Sequence, residues 1–149
     1  MSDPTLVSSD SADWAPVVPD MVAHIIDQLG PSLPEGLALL ATPHIALLTT
    51  SGRPHVVATQ AVRIPAAVTR QDLADIAANV LADVQDLVSG HLATPWPLTD
   101  TGFGTHPVAD LVGTSLRMRF SARNATEDQS IRLQPYSIPE DPPEFVLSG

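Results

Sequence analysis

The chain has no cysteine and no lysine, and few aromatic residues. Without cysteine it has no disulfides, no thiolate metal ligands and no cysteine nucleophile. All 7 basic residues are arginines; they face 17 acidic residues, for a net charge of −10. That balance argues against direct binding of nucleic acid, because phosphate contacts need a basic surface. Aromatics are only 4 % of the chain and hydrophobic residues 44 %. A core must therefore come from Ala, Val, Leu and Ile. No apolar run approaches the roughly 18 residues of a membrane span. The N-terminus opens with Ser2, Asp3 and Pro4 and lacks a basic-plus-apolar signal pattern. The expectation is a soluble protein made and used without secretion, with no membrane partner. The lack of Lys beside abundant Ala, Val, Asp and Arg fits a GC-rich genome. The 149 residues suit a single domain.

What the chain does have is one long amphipathic helical pattern, beginning at Thr69 and stopped before Trp96. Leu73, Ile76, Ala77, Val80, Leu81, Val84, Leu87 and Val88 recur in steps of three and four and so share a face. Asp72, Asp75, Asn79, Asp83 and Asp86 occupy the other side. Thr69 is the expected cap, with Asp72 returning a bond as in a capping box. Gly90 is the expected stop, and Pro95 and Pro97 forbid continuation.

Around this helix the pattern gives a short helix from Pro19 or Asp20 to Leu29, with Asp20 as N-cap. Met21, Val22, Ile25, Ile26 and Leu29 form its buried side, and Gly30-Pro31 ends it. Leu37 to Ala41 is an apolar run. His44 to Thr50 and Pro54 to Ile64 read as a hairpin around Ser51-Gly52. A two-residue loop would place Leu48 opposite His55. Ile45, Leu47 and Thr49 would then share a core face with Val56, Ala58, Val62 and Ile64. The other face is partly apolar too, as in sheets covered on both sides. Residues 94–107 read as a loop rich in Thr, Gly and Pro. Leu111 to Ser121 reads as one strand with Leu116, Met118 and Phe120 inward and Arg117 and Arg119 outward. Asn124 to Gln129 is a polar turn, and Ser130 to Tyr136 a last short strand. The expected class is α+β: a mainly antiparallel sheet with the long helix on one face. The single domain would cover 20–136. Residues 1–19 and 137–149, polar and Pro-rich, would be arms with apolar anchors at Trp14 and at Phe145 to Leu147.

The candidate chemistry is sparse. The five histidines, His24, His44, His55, His91 and His106, show no His-x-x-x-His spacing. In the expected hairpin register His44 and His55 stand about 13 Å apart, too far for one metal ion. Gly-x-Ser-x-Gly is absent, and Gly102-Phe103-Gly104 precedes no helix, so neither a serine triad nor a phosphate loop is indicated. The acidic stripe opposite the apolar face is solvated or meets a basic partner. Asp83 and Asp86 lie where the helix dipole disfavours anions, with no nearby Lys or Arg. That favours arginines from elsewhere, such as Arg117, Arg119 or Arg123 of another copy. Trp14, Asp72, Asp75, Asp83, Asp86, Arg117, Arg119 and Phe145 are therefore the interaction candidates. No catalytic, metal or cofactor residue is indicated.

Two resemblances add to this. Val84-Gln85-Asp86, the stop at Pro95-Trp96-Pro97 and the following His106-Pro107 resemble small proteins encoded among the virion genes of actinobacterial bacteriophages. The likeness covers residues 70–120. It implies a non-enzymatic structural protein of the head–tail connector or tail-terminator region, or a capsid decoration protein. Such a protein assembles in the bacterial cytoplasm and partners itself in a ring or lattice, and neighbouring virion proteins. The hairpin from His44 through Ser51-Gly52-Arg53-Pro54 to Val57 is similar to the opening hairpin of split-barrel flavin- or deazaflavin-binding proteins related to pyridoxamine phosphate oxidase. That family would continue with further strands and a basic phosphate-binding segment, whereas this chain passes from Pro65 into a helix. A bacterial interaction module is the third reading.

Overall fold

The computed structural model describes residues 14–41, 44–50, 52–98, 104–122 and 131–139. Its regular elements are helix α1 (Val18–Leu29), strands β1 (Leu37–Ala41), β2 (Ile45–Thr49) and β3 (His55–Gln60), helix α2 (Asp72–Leu92), and strands β4 (Thr105–Val112), β5 (Ser115–Ala122) and β6 (Tyr136–Ser137). The class is α+β, as the sequence indicates. The strands form two antiparallel three-stranded sheets, β1-β2-β3 and β4-β5-β6, rather than one.

Helix α1 buries the expected residues, Met21, Val22, Ile25, Ile26 and Leu29, and adds Val18. Its start differs. A short 3-10 turn, Ala15–Val17, leads directly into it, so Asp20 lies inside the first turn instead of capping it. Trp14 is 3 % exposed, and its backbone N–H donates to the Val68 carbonyl at 2.9 Å. The domain therefore begins at least as early as Trp14, not at residue 20. An indole buries more apolar area than any neighbouring side chain here, and in this chain it supplies core.

Helix α2 buries Leu73, Ile76, Ala77, Val80, Leu81, Val84 and Val88 of the expected stripe, together with Ala74 and Asp83, while Leu87 is only partly buried. Its neighbours are chiefly β4, then α1, β3, β5 and β2, so it touches both sheets. Thr69 and Asp72 make the reciprocal cap. The Asp72 N–H donates to Thr69 Oγ1 at 3.1 Å, and the Thr69 N–H donates to Asp72 Oδ2 at 2.8 Å. The C-terminus runs past Gly90. Ala93 takes the left-handed cap at φ 58°, and its N–H bonds the Ser89 carbonyl.

Two strand expectations are corrected. The first hairpin pairs Thr49 with His55 and Leu48 with Val56, and a bulge at Leu47/Leu48 then places Ala58 opposite Leu47. β2 ends at Thr49 and β3 begins at His55, so the register of a two-residue loop does not occur. The extra residue shifts the alternation. Val56, expected in the core, is 50 % exposed, while Val57 and Ala58 pack against the core. The second correction concerns Leu111 to Ser121. It is the end of β4, a turn at Gly113-Thr114 and most of β5. Gly113 supplies φ 63°, which the turn requires. Pro107 is tolerated within β4 because β4 is an edge strand.

Candidate interaction surface

Leu116, Met118 and Phe120 are buried to 0–1 % exposure, which turns the alternate residues of β5 outward. Arg117 and Arg119 thus stand on the outer face of the second sheet. The strand register adds two residues. Asp110 of β4 lies opposite Arg117, and Arg132 bridges directly across from Arg119. Asp110 Oδ2 is 3.6 Å from Arg119 Nη1, so one guanidinium has an in-chain carboxylate. Neither Arg117 nor Arg132 has an ion pair among the described residues. A cleft of about 400 Å3 opens beside them, bordered also by Gln134 and Pro135. Like charges directly across a strand pair are destabilising, and among the described residues one acid, Asp110, pairs with the three arginines here.

The sequence candidates omit Arg132. A signal for it exists: in the expected strand Ser130 to Tyr136, Arg132 and Gln134 alternate with apolar Ile131 and Leu133, and Leu133 is buried. The pairing of Arg132 with Arg119 is not legible in the sequence, because it depends on the alignment of two strands across residues 123–130. Arg123 and those residues, like Phe145, lie outside the described residues.

The acidic stripe of α2 divides. Asp75 and Asp86 are exposed as expected. Asp72 is held in the cap. Asp83 is 6 % exposed, contrary to its expected place on a solvated face, and accepts from Arg63 Nη2 at 3.4 Å. Burial pushes its carboxyl above the usual value; the Arg63 charge opposes that and the Asp86 charge adds to it. The arginine expected from another copy is thus supplied by the segment just after β3. Beside this pair, Arg63, Pro65, Asp72, Asp75 and Asn79 border a second cleft of about 410 Å3.

Gln85 and Trp96 serve as ties. Gln85 Nε2 donates to the Thr105 carbonyl at 2.9 Å, fixing the start of β4 against α2. The Trp96 ring stands edge-on to Phe120 with centroids 5.8 Å apart, and Ser89 Oγ bonds both the N–H and the carbonyl of Trp96. His106 is exposed on β4. His24 lies on α1, where its Nε2 is 2.8 Å from the Gln134 carbonyl. His55 Nδ1 is 3.0 Å from the Arg53 carbonyl. Among the described residues no three His, Asp or Glu side chains stand together as metal ligands, and no helix is long and apolar enough to cross a membrane. Compared with models of protein families, with curated proteins and with solved structures, the chain matches none.

Proposed function

We propose that the chain is a non-enzymatic structural protein that works by assembling with copies of itself, as a virion component of the head–tail connector or tail-terminator region. The observation that carries the assembly reading is the gathering of Arg117, Arg119 and Arg132 on one sheet face of a protein with net charge −10. Exposed Asp75 and Asp86 lie on a different element, α2. Opposite charges on different patches of one molecule favour head-to-tail contacts, and those close into rings when the rotation allows. The virion placement rests on the sequence resemblance over residues 70–120. The ties made by Gln85 and Trp96 agree with a motif that marks a shared framework rather than a reaction.

The test is sedimentation velocity across protein concentration and salt. The wild type self-associates at low salt, and the association weakens as salt screens the charges. Reversing Arg117 and Arg119 to Asp abolishes association while circular dichroism shows an intact fold. A wild type that stays monomeric at low salt and high concentration removes the proposal in favour of a ligand-binding role. For the flavin alternative, the sign would be an absorbance band near ~450 nm in the purified protein.

A further inference from the structure

Arg117 and Arg132 have no ion pair among the described residues, and the densest acidic run of the chain, denser than the pair Glu127-Asp128, lies outside them. Residues 140–144 read Glu-Asp-Pro-Pro-Glu, three carboxylates in five positions. The exposed acids of α2 are sparser. With Asp83 paired and Asp72 in the cap, Asp75 and Asp86 remain, eleven residues or roughly 16 Å apart along the helix.

We propose that the acidic segment 140–144 of one copy docks in the Arg117–Arg132 cleft of a second copy. The inference rests on the assembly reading above and names the partner surface of that contact.

The exit geometry sets the direction. Arg132 lies across from Arg119, Ser137 across from Ser115, and the Ile138 N–H donates to the Thr114 carbonyl at 2.8 Å. The last strand thus runs along β5 from the arginines towards the β4–β5 turn. Pro135, at the near end of the cleft and about level with Arg117, lies four residues before Pro139, on the order of 13 Å of extended chain. To reach its own cleft, the segment would have to reverse at once after Pro139 and retrace that distance. A neighbouring molecule meets no such obstacle. The arginine forks present paired N–H donors suited to carboxylates. Beyond Asp110 on the same face, Val112 is 51 % exposed, an apolar step that Phe145 of the incoming chain would cover.

The test uses full-length chains in sedimentation velocity at low salt. One variant loses the acceptor, R117D/R132D; the other loses the donor, E140Q/D141N/E144Q. Each alone associates roughly tenfold or more weakly than wild type. An equimolar mixture of the two restores one contact and gives a 1:1 pair that grows no further. Unchanged melting curves confirm that both variants fold. A donor variant that assembles like wild type, beside an acceptor variant that does not, overturns this inference and leaves the assembly reading standing with another acidic surface in the cleft. Two weakened variants whose mixture stays monomeric also overturn it. A wild type that never assembles overturns the assembly reading and this inference together.

Discussion

The Tyr136 hydroxyl donates to Asp20 Oδ2 at 2.6 Å, joining α1 to the last strand across 116 residues of chain. Two more α1 residues on the same side share the work. His24 Nε2 reaches the Gln134 carbonyl, and Gln28 Oε1 accepts from the Gln134 N–H at 3.1 Å. Positions 20, 24 and 28 are one turn apart and form a polar rail along which the strand lies. Burial, then the bond to Asp20, pushes the Tyr136 phenol well above its usual range.

Tyr136→Phe should therefore cost about 1 kcal/mol near neutral pH, read as a lower urea midpoint. The sign of its pH dependence follows from the raised phenol. The contribution is complete below the ordinary value of 10.0 and falls as pH rises above it. The gap between wild type and variant narrows in alkali. A gap that widens there would mean that the hydroxyl is bonded as an anion.

Leu81 is fully buried within the core formed by α1, α2 and both sheets. Leu81→Ala should lose about 2–5 kcal/mol, since helix and sheets cannot all close on the cavity. A loss under about half a kcal/mol in denaturant unfolding would show a site that collapses freely or was never filled.

Ala93 ends α2 with a left-handed backbone, a conformation in which its Cβ crowds the chain. Ala93→Gly should stabilise the fold by about 0.5–1 kcal/mol, the relief of left-handed strain less the entropy glycine loses, measured as a rise in unfolding midpoint. The result separates strain relief from unfolded-state entropy, because glycine loses more freedom on folding. A lower midpoint means that the entropy wins.

How legible this fold is depends on how local its causes are. The stripe of α2, the face of α1, the Thr69–Asp72 exchange and the inward set Leu116, Met118 and Phe120 follow from spacing within one element. The β4–β5 turn is hidden because a two-residue connection keeps the alternation running through Gly113. The bulge at Leu47/Leu48 leaves no mark that apolar alternation could show. Trp14 reads as an anchor for an arm because its neighbours are polar, and its place in the core is set by Val68, far along the chain. For the arginine face, strand alternation identifies Arg117 and Arg119 but not the partner across from them.

Asp83 is the clearest non-local case, since its arginine lies twenty residues away in sequence. The folded protein holds its carboxyl above the ordinary value of 3.8, with burial the main cause. A raised acid is protonated more readily in the fold than in the unfolded chain. Its contribution to stability is thus complete below 3.8 and is lost as pH rises through the folded value. Asp83→Asn keeps the shape and removes the charge. The variant should match wild type near pH ~3 and be the more stable of the two near pH ~7, where wild type carries a buried carboxylate. Arg63→Ala should then destabilise the wild type near neutral pH, because it removes the cation paired with that charge, yet leave the Asp83→Asn variant almost unchanged. Urea unfolding of wild type, the two single variants and the double variant at both pH values measures the coupling. If the Asp83→Asn substitution is destabilising at neutral pH, the Arg63 pair outweighs burial, and the carboxylate is a net stabilising charge of α2.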